Sequence, residues 1–298
     1  MGNKYVVLFQ RICFFVAFMF IALFISRNGG ELIKVARNLN YVFALLALLL
    51  SFCIVFASTL QFKFLLEANK IPTQYWFLFR QRALTNMLNY IPGGVWSHVN
   101  LAISLSQQVG ASVKTLSKLT ALFMISVIIT GTLFSIFFFP LYVQIIALVL
   151  VVFAFITLNY WITCINRLWK MLLPRVVMLL PPFTVKARAF ILISGVLSWT
   201  LTAGAFVSFL YAAHPSVSVA VLFYAGSAYI VAWVVGLLAI PFPSGLGIRE
   251  GVMGYLLALV GVPIAYAVAI SLVFRVMLLI RDIIFFVIVS KLKLSLTK

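Results

Sequence analysis

Two proline- and glycine-rich breaks interrupt a chain that otherwise consists of long apolar runs. The first covers residues 90–98 (YIPGGVWSH) and the second covers residues 241–250 (PFPSGLGIRE). Non-helical backbone inside a membrane is tolerated only where protein or a water-filled cavity surrounds it. If the apolar runs cross a membrane, both breaks must therefore be buried in protein or lie against a cavity.

The composition indicates that the runs do cross a membrane. Of the 298 residues, 65% are hydrophobic and only 9% are charged, which leaves too little polar surface for a soluble domain. At about 20 residues per crossing, the chain has room for about eight transmembrane helices. We therefore predict an all-α polytopic membrane protein, with residues 1–298 forming one integral membrane domain. The predicted spans are residues 5–26, 39–62, 119–139, 141–162, 189–212, 217–240, 247–260 and 264–290.

The charges set the predicted orientation. The chain has 22 Lys and Arg against four Asp and Glu, a net charge of +18, and most basic residues fall in short loops. Such a pattern is typical of cytoplasmic loops facing anionic lipid, and does not require a nucleic-acid partner. We expect a multi-pass protein of the cytoplasmic (inner) membrane with both termini in the cytoplasm. The loop at residues 166–188 has five basic residues and no acid.

Residues 83–108 lie between two basic segments, so they cannot form one simple crossing. We predict a re-entrant helical hairpin with Pro92, Gly93 and Gly94 at its tip. One polar stripe precedes the tip and another follows it, and both are expected to face a cavity. The aromatic residues before the hairpin are expected in the headgroup region. The first stripe is Arg82, Asn86 and Asn89, the second is Ser97, Asn100, Ser104 and Gln107, and the aromatic residues are Tyr75, Trp76, Phe77 and Phe79.

The two halves of the chain, residues 1–165 and 185–298, follow a similar plan. Each has two spans, a break and two further spans, with the basic loop between the halves. Paired interrupted segments indicate a two-fold internal repeat and, in transporters, the position of the binding site. The repeats could have the same or inverted orientation.

Ionisable groups at membrane depth are costly, and four of them lie at or after the second break. Arg249, Glu250, Arg275 and Asp282 predict a site for a phosphate or another anionic lipid headgroup, since arginine binds phosphate through a planar fork of donors. Gly245 and Gly247 precede a helix, whose first amides would favour an anion. The alternative is a set of internal ion pairs that fix helix register. Arg281 is expected to extend to the membrane interface.

Other residues carry weaker signals. His98 could relay a proton or donate to a headgroup, or could be a structural hydrogen-bonding residue. Trp96 could stack on a sugar, or anchor the hairpin. The three cysteines and four acids show no metal-ligand spacing, and no phosphate-binding loop for ATP is present. We therefore predict no metal, no cofactor and no enzymatic activity.

The second break, PSGLGIREG at residues 243–251, is followed by Arg275 in the next span. Together with NYIPGGVW at residues 89–96, this pattern resembles the flippase-like membrane region of lysylphosphatidylglycerol synthases. The resemblance implies a bacterial or archaeal membrane protein that moves or binds a lipid. We expect a stand-alone member without the synthases' soluble aminoacyl-transferase domain, so lysyl transfer is not implied. Family members often have a basic residue shortly after the first motif, whereas this chain has only His98. The identity of the lipid headgroup therefore does not follow from the resemblance.

Three functions follow from this resemblance and the charge pattern. The leading one is a flippase for an anionic phospholipid or a sugar linked to polyprenyl phosphate, with Arg249 and Arg275 binding the headgroup. The alternative is a non-transporting accessory subunit that partners a cell-envelope glycosyltransferase or polymer-assembly system. A lipid-donor transferase is the third, and the shortage of acids argues against it.

Overall fold

A computed structural model describes residues 2–90, 96–135, 145, 149, 153, 160, 167, 183–239, 242 and 245–291. The prediction of an all-α protein is confirmed, because the regular elements of this part of the chain are helices and none is a strand. They are α1 (Gly2–Arg37), α2 (Tyr41–Ala68), α3 (Tyr75–Asn86), a 3-10 turn (Met87–Tyr90), α4 (Trp96–Val109), α5 (Val113–Ser135), α6 (Val185–Ala213), α7 (Val219–Leu238), α8 (Ile248–Ala258) and α9 (Ile264–Lys291).

Several of these helices are long and apolar enough to cross a membrane. Within the described ranges, four meet both conditions: α2, α5 over Val113–Leu133, α6 and α7. The protein is therefore a multi-pass membrane protein. The predicted fourth span, residues 141–162, lies outside the described residues except at single positions. The count of eight spans and the internal repeat thus stay predictions.

The sequence predicts a loop at residues 27–38, between the first two spans, and this prediction is wrong. Helix α1 continues to Arg37, with a kink at Asn28, where φ is −126° and ψ is 21°. The mixed charges that indicated a loop lie one helical turn apart, and Glu31 and Lys34 form an ion pair of 3.9 Å. The chain turns at Asn40, whose side-chain oxygen accepts from the Val42 amide at 3.1 Å and so caps α2.

Helices α2 and α6 lie antiparallel along most of their length. Phe43 packs edge-on against Tyr211 at one end, and Phe64 stacks on Phe190 at the other. Between them, Gly195 lets α6 approach Gln61, since a Cβ at Gly195 would lie 2.8 Å from the Gln61 side-chain nitrogen. Helices α3, α5, α7 and α9 pack against this pair.

Helix α8 covers nearly all of the short seventh span that the sequence predicted at residues 247–260. Its 11 residues extend about 16 Å, roughly half of the hydrocarbon core of a bilayer. It runs antiparallel to the first half of α9, because Glu250 contacts Arg275 and Gly254 lies against Val268. The second break therefore brings the start of α8 to Arg275, which lies about 16 Å from the first residue of α9 by helix geometry.

The hairpin helix α3 is fixed by aromatic residues. Phe79 stacks on Phe56 of α2 with ring centroids 4.6 Å apart and meets Phe285 of α9 edge-on at 5.4 Å. Phe77 is also buried, so both side chains pack inside the protein, whereas Trp76 is 59% exposed. The depth of these aromatic residues in the headgroup region stays a prediction.

The contact between α8 and α9 gives a first prediction. A Cβ at Gly254 would lie 2.6 Å from the Val268 Cγ2 atom, so Gly254→Ala should lower the free energy of unfolding by about 1–3 kcal/mol through overpacking. Adding Val268→Ala removes the clashing methyl groups and should restore part of that loss. Unfolding of the purified variants in detergent measures both effects. A Gly254→Ala protein as stable as the wild type would contradict the close approach.

Candidate functional site

One cavity of about 640 Å³ lies among helices from α2 to α9. Its wall is mainly apolar, with side chains such as Ile54, Phe123, Ile128 and Leu278. His98, the last residue of the first break, and Gly245, within the second break, both line this cavity. Polar groups are confined to a few positions, so the cavity combines an apolar surface with localised charge. The charged residues on its lining are Arg82, Arg249, Arg275, Arg281 and Asp282.

The second break is shaped by glycines in conformations that other residues rarely adopt. Gly245 has φ +67° and Gly247 has φ +82°. Gly245 also packs on the backbone of α7, because a Cβ there would lie 2.6 Å from the Gly236 carbonyl oxygen. Gly247 precedes α8, and its amide donates to Glu250 Oε2 at 2.7 Å. The glycines thus let the break fold tightly against α7 and turn directly into α8.

Glu250 connects the break to α9. Its other carboxylate oxygen, Oε1, accepts from Arg275 Nη1 at 2.6 Å, and its side chain is 1% exposed. The carboxylate therefore holds Arg275 in place at the wall of the cavity while staying behind that wall. The two predicted roles, anion binding and internal ion pairing, are both compatible with this geometry, because Arg275 is ion-paired and also lines the cavity.

Arg249, at the start of α8, lines the same cavity as Arg275. Its guanidinium carbon is 5.0 Å from the centre of the Trp233 ring, within the range of a cation–π interaction. Its side chain passes Gly236, where a Cβ would lie 2.7 Å from Arg249 Nε. Trp233 and Gly236 of α7 thus define the path of the Arg249 side chain into the cavity.

Arg281 does not extend to the interface as the sequence indicated. It is buried, donates to Asp282 Oδ1 from Nε at 2.9 Å and from Nη2 at 2.7 Å, and donates from Nη1 to the Ser51 carbonyl at 3.2 Å. The neighbouring carboxylate and a carbonyl of α2 replace the water that a snorkelling arginine would need. The pair therefore joins α9 to α2 beside the cavity.

Arg82 supplies the positive charge on the hairpin side. It donates to the Ser58 carbonyl and, at 3.3 Å, to the Ser58 hydroxyl. Its guanidinium carbon also lies 4.6 Å from the centre of the Phe123 ring. Asn86 of α3 and His98 of α4 share the same cavity wall. Arg82 and Asn86 of the first predicted stripe therefore face the cavity, and the side chain of Asn89 lies outside the described residues.

The second polar stripe does not. Asn100 and Gln107 of α4 are exposed, and His98 and Val99 are the α4 residues on the cavity wall among those described. Successive side chains of a helix point about 100° apart, so the stripe can point away from the cavity although neighbouring residues of α4 lie on the cavity wall. Pro92, Gly93 and Gly94 lie outside the described residues, as does the side chain of Trp96. Their predicted roles stay untested.

Sequence reasoning missed several polar residues of the cavity. Gln61 of α2 lines it and donates to the Ser126 hydroxyl at 3.3 Å. Ser198 and Thr202 of α6 line it as well. A glutamine within a predicted span was a usable signal, because polar side chains at membrane depth usually face a protein interior or a cavity.

Comparison with protein families decides what this fold belongs to. The model of the lysylphosphatidylglycerol synthase transmembrane region matches residues 8–285, almost the whole chain. The chain belongs to this family. Comparison with curated proteins finds no match, and comparison with solved structures finds none either. As a member of the lysylphosphatidylglycerol synthase transmembrane family, the chain is a membrane protein with a phospholipid-related function.

The cavity offers no place for a metal ion among the described residues, because no three His, Cys, Asp or Glu side chains come together there. What this member of the family brings together instead is four arginines, one carboxylate and neutral donors on the wall of an apolar cavity, with the Glu250 carboxylate behind Arg275. Guanidinium groups in such a setting bind phosphate or carboxylate anions strongly.

Proposed function

We propose that this protein moves an anionic lipid across the membrane, either an anionic phospholipid or a sugar linked to polyprenyl phosphate. The observation that carries the proposal is the shared cavity, on which arginines of the hairpin, of α8 and of α9 all lie. Its arginines suit a phosphate, and its apolar wall suits the start of a lipid tail. Family membership supports a phospholipid-related role.

The depth of the site supports movement rather than surface binding. If Ile264, the first residue of α9, lies at one membrane surface, Arg275 and the start of α8 lie about 16 Å deeper, which is close to half of the thickness of the bilayer core. A half-helix that ends near the midplane beside a break is the usual setting of a transporter's substrate site. A headgroup bound there would be roughly equally far from both membrane surfaces.

Transport by the purified protein tests the proposal. In proteoliposomes containing a fluorescent anionic phospholipid, the wild type should increase the rate at which the label crosses the bilayer. Arg249→Gln should lower that rate about tenfold, because it removes a charge-assisted contact worth roughly 1.5–3 kcal/mol. The control is Arg80→Gln on α3, whose guanidinium is directed to the Val289 carbonyl rather than the cavity.

Two results would contradict the proposal. Equal rates for Arg249→Gln and Arg80→Gln would exclude a role of the cavity in lipid movement. A wild-type rate equal to that of empty liposomes with every lipid class tested, together with stoichiometric copurification of a glycosyltransferase, would favour the accessory-subunit alternative.

A further inference from the structure

The acids of this chain can be accounted for completely. The sequence has four Asp and Glu residues, and all four lie at described positions. Glu31 pairs with Lys34 on α1, and Glu67 pairs with Lys63 at 2.9 Å on α2. Glu250 and Asp282 alone are therefore left to balance the charges of the cavity.

The cavity has more positive charge than these two acids can balance. Four arginines line it, and Glu250 and Asp282 contact Arg275 and Arg281, respectively. Four arginines and two acids leave a net charge of +2, whichever arginine each acid neutralises. Residues outside the described ranges cannot lower this charge, because none of them is acidic.

Arg82 shows most clearly where one of these charges lies. The groups that hold it are the Ser58 carbonyl, the Ser58 hydroxyl and the rings of Phe62 and Phe123, all of which are neutral. The acids that contact an arginine of the cavity lie on α8 and α9, whereas Arg82 lies on the hairpin. Its charge is stabilised by dipoles and ring faces but is not neutralised.

Uncompensated charge in an apolar cavity is costly, and a ligand of matching opposite charge removes that cost. A phosphodiester, as in phosphatidylglycerol, carries one negative charge. A phosphomonoester carries about −1.5 to −2 at neutral pH, because its second pKa is near 6. A cavity with two excess positive charges therefore favours a phosphomonoester, or a diphosphate that is esterified at both ends, over a phosphodiester.

We propose that the cavity selects lipids whose headgroup carries two negative charges, either a terminal phosphomonoester or a diphosphate that is esterified at both ends. This inference rests on the proposed function, since it takes the cavity as the place where the headgroup binds. The phosphate oxygens would accept hydrogen bonds from Arg249 and Arg275 on the α8 and α9 side and from Arg82 on α3, since all three line the cavity.

Binding in detergent tests this selectivity without requiring transport. The probes are dioctanoyl phosphatidic acid and dioctanoyl phosphatidylmethanol, which differ by one methyl group and hence by one charge. At pH 8 the full-length protein should bind phosphatidic acid about tenfold more tightly, as expected for one additional charge-assisted contact. In Arg82→Gln the two affinities should become nearly equal, whereas Arg80→Gln should keep the tenfold difference.

Farnesyl phosphate identifies the source of the phosphate, because it is also a phosphomonoester and carries the same charge as phosphatidic acid on a prenyl chain. Tighter binding of farnesyl phosphate than of phosphatidic acid would support a polyprenyl lipid, and the reverse order would support a phospholipid monoester. Equal affinities for phosphatidic acid and phosphatidylmethanol in the wild type, or preference for the diester, would overturn the inference.

The proposed function can fail separately from this inference. Selective binding of phosphatidic acid without any transport in proteoliposomes would refute lipid movement and leave the selectivity standing. Transport of monoester and diester lipids at equal rates, with equal binding, would refute the selectivity and leave lipid movement standing.

Discussion

Replacing Arg275 with methionine should lower the free energy of unfolding by about 3–5 kcal/mol. The substitution leaves the Glu250 carboxylate, which is 1% exposed, without its guanidinium partner at 2.6 Å. Removing one partner of a buried ion pair costs about this much because the remaining charge stays desolvated. Urea or thermal unfolding of the purified variant in detergent measures the loss.

A second variant separates the cost of the unpaired charge from the loss of packing. Arg275→Met combined with Glu250→Gln removes both charges, and it should recover most of the stability, since an apolar replacement of a buried pair is often neutral. Transport should remain impaired, because the cavity has still lost a donor.

The matched control is the exposed pair on α2. Lys63→Met removes one partner of the Lys63–Glu67 pair, whose side chains are 25% and 41% exposed, and should change stability by about 0–1 kcal/mol. A loss as small as this for Arg275→Met would contradict the role of Glu250 as a buried anchor of the site.

Gly245→Ala should have the second largest effect, lowering the free energy of unfolding by about 2–4 kcal/mol. An L-residue at φ +67° is strained by roughly 1–2 kcal/mol, and its Cβ would lie within 2.6–2.8 Å of the Gly236 backbone. Since backbone cannot rotate away as a side chain does, the break must move off α7. Unfolding measurements test stability, and the transport rate tests the displaced site.

Gly251→Ala provides the contrast. Gly251 lies within α8, and a Cβ there meets no atom within 4 Å. This substitution should raise stability by roughly 0.5–1 kcal/mol, since alanine loses less conformational freedom in a helix than glycine. Equal destabilisation by both substitutions would contradict a specific contact between Gly245 and Gly236.

The features that the sequence predicted well are those with a local physical cause. Long apolar runs specify helices, and the all-α class followed from them. Arg249, Arg275 and Asp282 were found because ionisable groups at membrane depth are rare. Arg82 and Asn86 were singled out because they lie four residues apart, on one face of the helix that precedes the first break.

The features that the sequence did not predict depend on partners far along the chain. The burial of Arg281 is set by Asp282 and by a carbonyl of Ser51, which is 230 residues away. Helix α8 ends at Ala258, two residues before the predicted end of the short seventh span, because the apolar run continues through the turn that follows. Likewise, the packing of Phe79 against Phe56 and Phe285 joins three helices, which no local pattern contains.

The central claim is that an anionic lipid headgroup binds among the arginines of the cavity. The most direct measurement is an electron cryomicroscopy structure of the protein in nanodiscs that contain phosphatidic acid. The account predicts phosphate density about 3 Å from the guanidinium nitrogens of Arg249 or Arg82, with the acyl chains leaving the cavity toward the bilayer. Lipid density confined to the outer surfaces of the helices, with only water in the cavity, would contradict it.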